Sequence, residues 1–248
     1  MSGSPGGSAN SIHETAYISP RALLGVGNVI GPYATILGTA VLGDDNWVGP
    51  HVVLGGPPEV ADHHHSADWD SMGSGGHGVV VGDRNVFHEH VTVSHGWASR
   101  TNVGSDCLLM TRAHVAHDCT LGDGVVMSAG STLGGHVVLW TRATLGMGAV
   151  VHQRRSVGPW AMVGMAGVVT RDISACQLVM GSPARPVGLN TVGLRRAGVG
   201  EHQFARLQGW LEGTEALGQD LPVLIQRALE TWMRSPDDVT TGLGARRD

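Results

Sequence analysis

Aliphatic residues recur at every sixth position along most of this chain. Ile12, Ile18, Leu24, Ile30, Ile36, Leu42, Val48 and Leu54 keep the spacing without error, and Val81, Phe87 and Val93 resume it. From Val103 the period holds through Leu109, Val115, Leu121, Met127, Leu133, Leu139, Leu145, Val151, Val157 and Val163 to Val169. The position two before each is usually small, as at Ala16, Ala34, Ser131, Ala143 and Ala161, and glycine often follows, as at Gly25, Gly122 and Gly146. A helix would turn each such residue by about 240° from the last, so no helical face could collect them. In a strand, residues an even number apart share one side. Short strands with a bend every six residues therefore predict a parallel β-helix of hexapeptide repeats, three hexads to each triangular coil of about 18 residues. The repeats suffice for seven to eight coils, a prism roughly 35 Å tall at about 4.8 Å per coil.

The pattern also divides the chain. Residues 1–11 read as a disordered N-terminus and 12–172 as the β-helix. Excursions at 55–80 and 94–102 lack the period, and a loop of some 25 residues on so regular a body is usually functional or disordered. Residues 173–190, including "MGSPARPVG", read as an irregular connector. C-terminal helices follow over 191–236, with amphipathic segments near 201–211 and 221–233, and 237–248 reads as a flexible tail.

Composition changes this picture little. Hydrophobic residues make up 42% and aromatics only 4%, so the interior must be aliphatic. A net charge of −5, with arginine as the only strongly basic residue, offers no field for nucleic acid. Cys107, Cys119 and Cys176 form no disulfide framework, which points to a reduced, cytoplasmic protein; Cys107 and Cys119 fall on small inward positions and read as packing. The first residues carry neither a basic nor an apolar signal region, and no run approaches a membrane span.

Chemistry enters through the histidines. Because one coil takes 18 residues, His117, Gly135 and Gln153 should stack on one edge, flanked by His136 and His152, with His114 half a hexad away. Such a strip suits proton transfer, since an imidazole titrates near neutrality. Asp118 can orient His117 only if the chain bends between them, because strict alternation would point the two apart. The Gly135 N–H, one coil up, could donate to an oxyanion. The "HHH" at 63–65 lies in the long excursion and reads as solvated. No nucleophilic serine or cysteine constellation is evident.

The segments "VGDRNVFHEHVTV", "VGSDCLLMTRAHVAHDCTLGD", "GSTLGGHVV", "GMGAVVHQ", "MVGMAGVVTRD", "GSPARPVGLN" and "GLRRAG" resemble the UDP-N-acetylglucosamine O-acyltransferases of the lipid A pathway, in family order from about residue 80 to 198. The resemblance implies a left-handed coil, although parallel crossovers in general are right-handed. It further implies His117 as general base, Asp118 as its partner and Gly135 as oxyanion donor. His114, His136, His152, Gln153, Asn190 and Arg196 match binding positions, and Met165 stands at the acyl-length ruler, implying a short to medium chain. No bound cofactor or metal is implied; the 4′-phosphopantetheine thioester of the acyl donor is a co-substrate, carried by an acyl carrier protein or CoA. The expected assembly is a homotrimer. Arg154, Arg155, Arg185, Arg195 and Arg196 offer local positive charge to a carrier.

Departures gather on the acceptor side. The long excursion does not reproduce the family's sugar-nucleotide stretch. Val192 replaces a glutamate, Ala197 an arginine and Ser94 a histidine. The reading that follows is acyl transfer to a small-molecule hydroxyl or amine other than UDP-N-acetylglucosamine, in specialised metabolism. Four other readings remain open. They are the lipid A reaction itself, a thioester-consuming cyclase or hydrolase, a non-catalytic trimeric scaffold, and a γ-carbonic-anhydrase-like metalloenzyme using His90, His95, His114 and His117.

Overall fold

In a computed structural model that describes residues 9–218 and 220–235, the six-residue period is a left-handed parallel β-helix. Three sheets of ten, eight and seven strands make the faces of the prism, beginning respectively at Ser11–Ile12, Tyr17–Ile18 and Leu23–Leu24. Successive coils pair eighteen residues apart: Ser11 on Val29, His114 on Thr132, Thr132 on Val150. Most strands are two residues long, because each carries one inward aliphatic side chain and the next bend follows at once. From Ile30 to Val169 the periodic residues are buried, whereas Ile12 is 45% exposed because, among the described residues, no coil lies beneath the first. Some of the small inward positions hold a polar ladder instead. Asn28, Asn46 and Asn85 are buried, and the side-chain carbonyl of each of the first two accepts from the backbone and side-chain N–H groups of the next, at 2.9–3.0 Å. Buried polar groups persist only when satisfied in this way.

The observed boundaries correct the sequence reading in three places. Strands reach Gly56 and resume at Val79, then reach Ser94 and resume at Thr101, so the excursions are 57–78 and 95–100. The expected connector at 173–190 is not irregular: Gln177–Met180 pairs with Met162–Val163 as a further parallel strand, and Arg185–Leu189 folds back on it antiparallel. Val179 fills the prism there but lies ten residues after Val169, so the six-residue period could not reveal it. The β-helix begins at Ser11, and Asn10 already bonds to Gly25 and Asn28. The rest of the expected disordered N-terminus, residues 1–8, and the expected tail lie outside the described residues.

Three helices end the described chain: α1 (Thr191–Arg196), α2 (Glu201–Leu211) and α3 (Val223–Met233). They bury Leu194, Phe204, Leu207, Ile225, Leu229 and Trp232 in a second small core against Trp160 on the prism. No described helix is long and apolar enough to cross a membrane.

Candidate active site

The strand His114–Val115 lies on the second face, with Val115 inside and His114 outside. The chain then bends toward the third face through Ala116, His117, Asp118 and Cys119. Asp118 has φ 59°, and His136 and Arg154 repeat that left-handed turn one and two coils on, at 60° and 59°. The turn breaks strict alternation, so His117 Nδ1 lies 2.6 Å from Asp118 Oδ2. The carboxylate is fully buried. The short excursion closes over it: the backbone N–H groups of Trp97, Ala98 and Ser99 and the Ser99 hydroxyl all donate to Asp118, at 2.6–3.2 Å. Burial opposes its charge, but the His117 hydrogen bond and these three amides win and hold the pKa at about 2. A side chain on Gly96 would strike the Ser99 carbonyl, so the tight turn that aims these amides requires glycine.

An ionised Asp118 only accepts hydrogen bonds, so His117 Nδ1 carries the proton and Nε2 the lone pair. That Nε2 lies over Gly135, where a Cβ would come within 2.6 Å of it and within 2.5 Å of Cε1. No described group accepts the Gly135 N–H. His136 stands beside the pair, its ring edge-on to His117 at 5.2 Å and its Nε2 3.6 Å from Asp118. Burial lowers the His136 pKa, and the positive charge of Arg154 adds to this against the opposing pull of Asp118.

A groove of about 410 Å³ runs over this corner and the second face. His114, His117, Gly135, His152 and Gln153 line it together with Thr132, Val150 and Glu59. His114 bonds to Thr92 at 2.7 Å, and burial lowers its pKa against the opposing influence of the Glu59 carboxylate, 3.8 Å away. No arginine lines the groove, and Glu59 is its one formal charge. His117, Asp118 and His136 are the described residues whose ligand atoms converge closely enough for a metal ion. The four histidines considered for a γ-carbonic-anhydrase-like centre do not converge: His90 stacks on His51, His95 lies under the long excursion and His114 is tied to Thr92.

Residues 100–135 match the family described as bacterial transferase hexapeptide (six repeats). The chain is 34% identical over 208 residues to the acyl-[acyl-carrier-protein]–UDP-N-acetylglucosamine O-acyltransferase of Saccharophagus degradans, covering 79% of this chain and 81% of that protein. It belongs to that acyltransferase family. The UDP-N-acetylglucosamine acyltransferase of Campylobacter jejuni superposes with a TM-score of 0.75 at 26% identity, covering 97% of this chain and 91% of that one. The corresponding enzyme of Francisella novicida gives 0.67 at 27% identity, covering 95% and 88%.

Within this acyltransferase, the remaining expected site residues lie elsewhere on the chain. Met165 is 65% exposed at the corner between the first and second faces, above Met147. Asn190 caps α1, accepting from Gly193 and donating to the Trp160 carbonyl, so its amide is occupied. Arg196 is exposed in the last turn of α1. Sequence reasoning missed the amides of residues 97–99, which carry no side-chain signal, and Glu59, hidden in an aperiodic segment. All three cysteines are buried, and burial pushes their thiols up to about 11 for Cys107 and about 12 for Cys119 and Cys176, which suits packing.

Proposed function

We propose that this acyltransferase moves a short to medium acyl group from the pantetheine thioester of an acyl carrier protein or CoA to a hydroxyl or amine of an acceptor other than UDP-N-acetylglucosamine. The observation that carries the reading is the His117–Asp118 bond, which leaves the Nε2 lone pair open above Gly135. Nε2 takes the acceptor's proton as its oxygen or nitrogen attacks the thioester carbon. The carbonyl oxygen becomes an oxyanion facing the Gly135 N–H, and as the C–S bond breaks the imidazolium returns the proton to the departing thiolate. His136, His152 and Gln153 border the path of the pantetheine.

The changed acceptor is supported by charge. A diphosphate needs cations, and this groove offers a carboxylate at Glu59 where an amine or an uncharged polyol fits better. The placement of exposed Met165 and Arg196 away from the groove of their own chain supports a homotrimer in which they serve a neighbour's groove. Exposed Arg154, on the His117 corner, suits an acidic carrier. The test is to incubate purified protein with acyl carrier thioesters of graded length and either UDP-N-acetylglucosamine or a panel of amines and polyols. Thioester consumption with the panel alone is expected; efficient formation of acyl-UDP-N-acetylglucosamine overturns the changed acceptor.

A further inference from the structure

The histidines of the long excursion are not all solvated. Pairing slips between Val93 and Ser94, and His95 follows beneath the 57–78 segment, 6% exposed. Its Nδ1 lies 2.8 Å from the Gly96 carbonyl and so donates, which leaves a lone pair on Nε2. That Nε2 is buried without a hydrogen-bond partner, and so is Nε2 of His63, whose ring lies 5.9 Å from that of His95. His63, His77 and His95 line one cavity of about 360 Å³ together with exposed His64, and the His77 carbonyl accepts the Gly96 N–H at 2.7 Å.

From this geometry we infer that His63, His77 and His95 form a site for a transition-metal ion such as Zn²⁺, clasping the two excursions together. Two buried imidazole nitrogens with no donor are a costly arrangement unless something satisfies them. An imidazole set selects zinc, copper or nickel over magnesium or calcium, and three nitrogens with one water complete a tetrahedron. The three side chains do not yet converge within ligand reach of one point, so binding must draw the long excursion onto residues 95–100. That short segment supplies the amides that hold Asp118. Occupancy would therefore brace the carboxylate beneath His117 from a site outside the groove, and the inference does not depend on which acceptor the groove takes.

The test is zinc binding to the chelator-treated full-length protein, by calorimetry and elemental analysis, with Co²⁺ absorption reporting geometry. One ion per chain, a raised melting temperature and tetrahedral cobalt bands are expected. His63→Ala and His77→Ala should each weaken binding at least about tenfold, while His117→Ala and the double variant His64→Ala/His65→Ala leave it intact. Truncating buried His95 leaves a cavity beneath the excursion, so the decisive variants are at the other two positions. Absence of stoichiometric metal overturns the inference. So does binding that survives His63→Ala but is lost with His117→Ala, which would place the ion at His117, Asp118 and His136, or binding lost only with His64 and His65.

Discussion

The prism and its two excursions contribute to the same site in different ways. The prism supplies position: an eighteen-residue register sets His117, Gly135 and Gln153 above one another, and close packing of Val115, Leu133 and Val151 inside fixes the corner outside. The excursions supply electrostatics. Residues 95–100 keep Asp118 anionic and so set the tautomer of His117, while Glu59 from the longer segment sets the charge of the groove. A rigid repeat can thus hold the proposed base constant while aperiodic insertions alter what that base sees.

Two substitutions separate the contributions. Gly135→Ala puts a methyl group into the imidazole without touching the core, so it should lower turnover by about 10²-fold, the cost of misplacing a reacting group by an ångström, with the melting temperature nearly unchanged. Gly96→Ala disrupts the cradle and the bonds of Gly96 to His77 and His95, leaving the prism intact. It should cost about tenfold in turnover, a part of what a positioned base is worth, together with about 1–3 kcal/mol of stability as Asp118 loses donors. Steady-state kinetics beside thermal melts read both effects; equal effects from the two variants would erase the distinction between position and electrostatics.

A smaller effect follows from pH. His63, His95, His114 and His136 all have folded pKa values below the ordinary 6.5, burial being the first cause of each. The unfolded chain therefore binds protons first, so their contribution to stability is complete above about pH 6.5 and is lost as pH falls below it. Asp118, at about 2 in the folded state against 3.8, behaves alike at lower pH: its contribution is present above about 3.8 and disappears as pH falls through 2. Melting temperature should accordingly decline from pH 7 to pH 5, more gently in His114→Gln. A flat profile would mean that these imidazoles are not buried as described.

What the sequence could show follows from the same division. The coil, its inward aliphatic residues and the stacking of residues 117, 135 and 153 are consequences of a period, and a period is visible in one chain. That Asp118 turns back onto His117 depended on a corner, and the corner was inferable from the hexad. The backbone amides of residues 97–99 left no trace because any residue carries an N–H, and Glu59 stood in a segment with no register to place it. The strand at Gln177–Met180 escaped because it re-enters the prism out of phase.

The account rests most directly on His117 as the base. Release of free thiol from an acyl carrier thioester, in the presence of a productive acceptor, should fall by at least about 10²-fold in His117→Ala, with assembly and melting temperature retained. Thiol release at the rate of the unaltered protein would contradict it.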